Sequence, residues 1–172
     1  MLIWEICPGE GRDIANMQKQ NVKAGCEGET RPPFHLALPV TDLELAADFY
    51  EHLLGCPRGR ESQAWIDFDF WGHQLVIHKV KELLPAATNP VDGERVPASH
   101  FGPILGWQEF DQLVERLQRG KVSYVIAPTL RFAGRRGEQK TLFIQDPSGN
   151  HLEFKTFRNM DMLFAKDGLE YA

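Results

Sequence analysis

An order of short apolar runs that occurs twice along the chain limits the folds open to it. Phe34 to Val40 is apolar and strand-like. Thr41 with Glu44 three residues on has the form of a capping box, in which hydroxyl and carboxylate satisfy free amides at a helix start. Leu43, Ala46, Ala47, Tyr50, Leu53 and Leu54 follow at helical spacing, and Gly55 supplies a stop. Ala64 to Phe70 alternates Trp65, Asp67 and Asp69 with Ile66, Phe68 and Phe70, as a strand with two unlike faces does. Trp71-Gly72 marks a turn, His73 to Val80 a further strand, and a short strand fits near Arg58 to Ser62. After a linker at 81–98 rich in Pro, Asn, Asp and Gly, the order recurs. Ser99 to Trp107 is strand-like. Gln108 to Arg119 carries Phe110, Leu113, Val114 and Leu117 on one helical face before Gly120. Val122 to Ala127, Thr141 to Gln145 and His151 to Phe157 read as strands, the last two joined by the tight turn Asp146-Pro147-Ser148-Gly149-Asn150.

Each copy has one helix to cover one face of a small sheet, so the other face needs a second layer. The expected architecture is α+β: two βαβββ units, at about 33–80 and 98–158, forming a curved mixed sheet around a metal-bearing cavity. Residues 1–32 read as an N-terminal extension with little periodicity, open to flexibility. Residues 159–172 read as a C-terminal tail, either a short helix or a loose segment.

Composition narrows the partners. The net charge is −5 and no basic stripe is evident, so nucleic acid is not expected. No run approaches a membrane span, and the first ten residues lack the pattern of a signal peptide. The three cysteines form no CxxC pair, which argues against a zinc–thiolate site and makes the reducing cytoplasm the simplest compartment.

The candidate chemistry lies in the strands. His35, His100 and Glu153 fall at matching points of the duplicated pattern. Two neutral imidazoles and one carboxylate leave open coordination positions, a set suited to Fe(II) and accepting Mn, Ni, Co or Zn. The plainer reading makes the histidines satisfied core residues and Glu153 a rim charge. His78 is a further candidate ligand, two residues out of register with Glu153 when counted from the turn glycines. His151 shares a strand face with Glu153 and is either a proton-transfer base or a rim residue. The loop from Thr129 to Gln139, with Arg131, Arg135 and Arg136 between glycines, is either a lid over an anionic substrate or a solvated hairpin tip. Arg131 and Phe132 are its candidate substrate contacts. Trp65 and Phe70 line the cavity or belong to the core, and Asp67 and Asp69 resemble a polar exposed face.

Three stretches carry a family resemblance: His35-Leu-Ala-Leu-Pro-Val-Thr-Asp-Leu43, Ala47-Asp-Phe-Tyr50 running to Leu53-Leu-Gly55, and Asp146-Pro-Ser-Gly-Asn-His-Leu-Glu153. With His100 between them, they resemble the vicinal oxygen chelate superfamily of glyoxalase I, extradiol dioxygenases and bleomycin-resistance proteins. The resemblance implies that His35, His100 and Glu153 bind a divalent metal, Fe(II) first. For the catalytic proton transfer that such chemistry needs, His151 or His78 is the candidate acid/base and Glu153 a candidate shuttle. It implies a small-molecule substrate with vicinal oxygens, and a centre closed either within one chain or across a homodimer. Extradiol-type dioxygenase activity is the leading expectation. A glyoxalase-like lyase or isomerase, or a resistance-type binding protein, is the alternative. In glyoxalase I a further ligand comes from near the position of His78, where a glutamate is common.

Overall fold

The computed structural model describes residues 32–83, 88–91 and 94–165. The N-terminal extension before Pro32 and the tail beyond Ala165 lie outside the described residues.

Strand β1 (His35–Val40) leads into helix α1 (Leu43–Ala47), which continues as a wider π-helical segment, Asp48–Leu53. The sequence predicts Thr41 as the cap. Asp42 takes that role instead: its Oδ1 accepts from the Leu45 amide at 3.1 Å, while the Thr41 amide donates to Ser148 Oγ at 3.0 Å. In the π segment the Leu54 amide reaches back five residues to the Phe49 carbonyl at 3.0 Å. This widening lets the adjacent Phe49 and Tyr50 both turn inward, where each is buried. Gly55, at φ 79, closes the helix in the left-handed region that glycine enters without steric cost.

Strands β2 (Arg58–Glu61), β3 (Trp65–Phe70) and β4 (His73–Lys79) complete the first sheet, in the order β1-β4-β3-β2, with β1 and β4 parallel. The linker expected at 81–98 holds a strand pair of its own, β5 (Thr88–Val91) and β6 (Glu94–Pro97). Helix α2 (Trp107–Arg119) follows, its start closed by the Glu109 carboxylate on the Gly106 amide at 3.3 Å. Strands β7 (Tyr124–Arg131), β8 (Gln139–Gln145) and β9 (His151–Phe157) form the second sheet, and a 3-10 turn spans Met160–Phe164. Residues 101–104, read as a strand, are held by two parallel bridges to β9, Phe101 to Leu152 and Ile104 to Lys155. With that segment counted, the second unit repeats the strand order of the first.

One core fills the space between the helices and the sheets, with Tyr50, Phe68, Phe110 and Phe154 among its largest fully buried side chains. Polar clamps join the two units. The buried Tyr50 hydroxyl donates to Asp146 Oδ2 at 3.0 Å, and Asp146 Oδ1 accepts from the Ser148 and Asn150 amides at 2.9 and 2.8 Å. Asn150 Nδ2 donates to the Pro39 carbonyl at 3.0 Å. The Asp-Pro-Ser-Gly-Asn turn therefore does structural work: it locks the start of β9 against the first unit. Burial, followed by the Asp146 charge and hydrogen bond, holds the Tyr50 phenol well above its ordinary pKa.

Candidate metal site

Alternation along β9 sends Leu152, Phe154 and Thr156 into the core and leaves His151, Glu153, Lys155 and Phe157 on the other face. Register then fixes their neighbours on β8: Gln145 beside His151, Phe143 beside Glu153, Thr141 beside Lys155 and Gln139 beside Phe157. The bridge of Phe101 to Leu152 sets His100 on the same face.

His100 Nε2 lies 3.3 Å from Glu153 Oε2, and the Glu153 side chain is only 15% exposed. His100 Nδ1 is 2.7 Å from the Pro97 carbonyl. A carbonyl only accepts, so Nδ1 carries a proton, and Nε2 faces the carboxylate with a lone pair in the neutral ring or a second proton in the imidazolium. Two lone-pair donors facing each other repel unless a cation joins them, either a proton on the imidazole or a metal ion. Donors each about 2.1 Å from one ion and at right angles lie roughly 3 Å apart, so the pair fits as two neighbouring ligands. The other carboxylate oxygen is already occupied. Thr141 Oγ1 donates to Glu153 Oε1 at 2.6 Å, and Lys155 Nζ sits 3.1 Å from the same atom. That leaves Oε2 facing His100. The edge of the Phe143 ring packs on His100, with centroids 5.1 Å apart.

Gly102 makes this geometry possible. A methyl there would run into the backbone of Glu153, with the carbonyl carbon 2.8 Å away. Only glycine lets the 101–104 segment lie so close to β9.

His35 does not join the pair. Among the described residues no three His, Cys, Asp or Glu side chains are grouped to hold a metal. His35 is exposed on β1, beside Gln74 of β4. Its Nδ1 is 2.7 Å from Gln74 Oε1. Gln74 Nε2 donates to Asp67 Oδ2 at 3.1 Å, and Arg60 donates to the same oxygen through Nε and Nη2 at 3.1 and 3.0 Å. Asp67, expected on an exposed polar face, is 7% exposed.

His78 pairs with Pro39 and Trp65 and is exposed. Since His35 sits beside Gln74 and His100 beside His151, the counterpart of Glu153 in the first unit is Val76, and that of His78 is Lys155. His151 lines, with His100, a cleft of about 1080 Å³ that also includes Leu36, Leu38, Gln145 and Asn150. The Gln145 amide lies 2.6 Å from His151 Nε2. Burial, and then the neighbouring His100, lowers the His151 pKa.

Arg131 ends β7 opposite Gln139, two rows along the same sheet face from Glu153. Its guanidinium lies 5.3 Å from the Phe132 ring centroid. The turn beyond it is closed by its own hydrogen bonds, Arg135 amide to Phe132 carbonyl at 2.9 Å and Glu138 amide to Arg135 carbonyl at 3.1 Å, as in a hairpin tip. Cys56 is buried, and burial with the Asp69 charge pushes its thiol up to about 12, which leaves no thiolate nucleophile there.

Strand periodicity alone places His151, Glu153 and Lys155 on one face. Thr141, Gln74 and the Pro97 carbonyl enter through strand pairing or backbone position, which periodicity along one strand does not carry. A family model described as Glyoxalase/Bleomycin resistance protein/Dioxygenase superfamily matches residues 33–154. The chain belongs to that superfamily. It is 30% identical over 124 residues to the virulence protein STM3117 of Salmonella typhimurium, covering 72% of this chain and 82% of that protein. It is 26% identical over 132 residues to the metallothiol transferase FosB of Lysinibacillus sphaericus, covering 75% and 84%. Among solved structures, a glyoxalase/bleomycin resistance protein/dioxygenase from Alicyclobacillus acidocaldarius superposes with TM-score 0.66 at 32% identity, over 80% of this chain and all of that one. The family-model match includes every candidate ligand, from His35 to Glu153.

Proposed function

We propose that the protein is a divalent-metal enzyme acting on a small substrate with two neighbouring oxygens. Its complete centre takes His100 and Glu153 from one copy of the chain and His35 from a second. The observation that carries this reading is the 3.3 Å approach of an imidazole nitrogen to a carboxylate oxygen whose twin is already held by Thr141 and Lys155. The exposure of His35, away from that pair within its own chain, supports completion by a second copy. In a twofold dimer each contact occurs twice, so two such centres form together.

A divalent cation bound there supplies Lewis acidity, which lowers the cost of negative charge on substrate oxygens. The chain's own residues do the rest. Thr141 keeps Glu153 aimed. The Lys155 ammonium offers a partner to an anionic substrate group. His151, in the cleft beside His100, is positioned to carry a proton. Arg131 and Phe132 are the distant substrate contacts along the same face.

Two branches of this chemistry remain distinct. Extradiol-type cleavage needs Fe(II) and O₂. Addition or isomerisation needs only a Lewis acid such as Mn, Ni, Co or Zn, and the metallothiol transferase relative favours this second branch. Metal analysis of untagged protein, followed by O₂ uptake on a catechol panel and by thiol consumption with small oxygen-rich electrophiles, separates them. His35→Ala and Glu153→Gln should each lose metal. Mixing the two variants should restore about a quarter of the centres through hybrid dimers. Metal retained in full by both variants would remove the basis of the reading, and no recovery on mixing would remove its two-copy form.

A further inference from the structure

We infer that Gln74 and Asp67 are positioning residues that fix His35 in its Nδ1–H tautomer and so present a bare Nε2 to a divalent cation. The inference rests on His35 serving as a ligand in the proposed centre.

The direction of each hydrogen bond follows from the one before it. The Asp67 carboxylate can only accept. Its Oδ2 receives both Arg60 donors and the Gln74 amide nitrogen. Gln74 therefore has its nitrogen toward Asp67 and its oxygen toward His35. An oxygen at 2.7 Å requires a proton on His35 Nδ1. The neutral ring then has its lone pair on Nε2. Histidine free in water favours the opposite form, with the proton on Nε2, so the chain from Arg60 inward selects the less common tautomer. His100 reaches the same state through the Pro97 carbonyl. Both imidazoles are thus preset alike by unrelated means, one through a side-chain relay on the first sheet and one through a backbone carbonyl before the second.

The relay has the marks of a built feature. Asp67 is almost fully buried on the central strand β3, where an unpaired carboxylate is costly. Arg60 alone would pair it. Gln74 adds a neutral amide whose remaining function is to face His35. Partners in this position orient a ligand imidazole and raise its basicity, and their loss typically lowers metal affinity about 10- to 100-fold.

The test uses full-length, metal-free protein with ¹⁵N-labelled histidine, at a pH where the rings are neutral. Long-range ¹H–¹⁵N spectra read the tautomer of each ring, and His35→Ala assigns the His35 signals. Wild type should show His35 protonated at Nδ1. Gln74→Met, close in shape but without an acceptor, should move His35 to the Nε2–H form and weaken zinc binding in a competition assay by about 10- to 100-fold. Gln74→Glu still accepts from Nδ1 and should keep the wild-type tautomer. Asp67→Asn, which frees Gln74 to turn over, should give a mixture of the two forms. Thermal unfolding of each variant separates a local effect from loss of fold. A wild-type His35 protonated at Nε2, a tautomer unmoved by Gln74→Met, or unchanged zinc affinity in that variant would each overturn the inference. Undiminished zinc binding by His35→Ala would instead overturn the proposed centre, a failure read from a different variant.

Discussion

Gly102→Ala tests whether close backbone approach builds the His100–Glu153 pair. The added methyl would overlap the Glu153 carbonyl oxygen and sit 2.8 Å from its carbonyl carbon, where real methyl contacts stay beyond 3.0 Å. The obstacle is backbone, so no side chain can swing aside. The 101–104 segment must move off β9 by roughly an ångström to relieve the overlap. Two of the four hydrogen bonds across that seam lie on the His100 side of the glycine, Glu153 amide to Phe101 carbonyl at 2.8 Å and Phe101 amide to His151 carbonyl at 3.2 Å. A shift of that size takes both beyond useful length, at about 1 kcal/mol each. Residual overpacking adds about 1–3 kcal/mol, for a total loss near 3–5 kcal/mol in urea unfolding. His100 precedes the glycine directly, so its Nε2 also retreats from Glu153, and zinc affinity should fall with stability. Gly106→Ala is the control, because its methyl would meet only Glu109 side-chain atoms at 3.8 and 3.9 Å and should cost under about 1 kcal/mol at a helix cap. If Gly102→Ala unfolds within about 1 kcal/mol of wild type and binds zinc normally, the seam does not depend on glycine and the account of the site is wrong.

Tyr50→Phe removes a buried hydrogen bond to a carboxylate and should cost about 1.5–3 kcal/mol in urea titrations. The same residue sets an alkaline limit. The unfolded phenol loses its proton near pH 10, whereas the folded one holds it to higher pH, so stability should fall as pH rises above about 10. Tyr50→Phe should flatten that fall, and an equally steep slope in the variant would assign it elsewhere. Lys155→Met takes a cation from beside Glu153. Zinc affinity in competition assays should rise about three- to tenfold because a like charge near the metal is gone, while affinity for an anionic chelator such as oxalate, measured on the zinc-loaded protein, should drop. Weaker zinc binding would mean that Lys155 chiefly aims the carboxylate.

The two-unit fold was legible because its signal is local. Period-2 alternation in Trp65–Phe70, helical spacing over 107–119 and the turn at Asp146–Asn150 each mark an element without reference to the rest of the chain. The same locality explains what went unread. Thr41 and Asp42 both have cap chemistry, and the choice between them is made by Ser148, 107 residues away. The strand pair at 88–97 carries Pro90 and Pro97, which read as linker because proline cannot donate to a ladder. Asp67 and Asp69 alternate identically in sequence. Arg60 and Gln74 reach Asp67, and that register-dependent meeting separates a buried anchor from an exposed neighbour. Among the candidate ligands, His100 and Glu153 came together because both lie in the second unit, on adjoining segments. The position of His35 depends on how units associate, which no pattern within one strand encodes.

The duplication repeats the strand order, with the 101–104 segment in place of a full first strand, and is unequal in chemistry. In the first unit the positions matching His100, His151 and Glu153 hold His35, Gln74 and Val76. Each unit keeps the first-strand histidine, but only the second has a carboxylate two residues past its neighbour. The three proposed ligands, two imidazoles and one carboxylate, lie on two sheets that do not bring them together among the described residues. Twofold pairing of copies would yield two complete centres with one carboxylate each, and no site with two. Where the second unit has Glu153 the first has Val76, and its buried charge lies one strand further out, at Asp67, joined to His35 through the Gln74 amide.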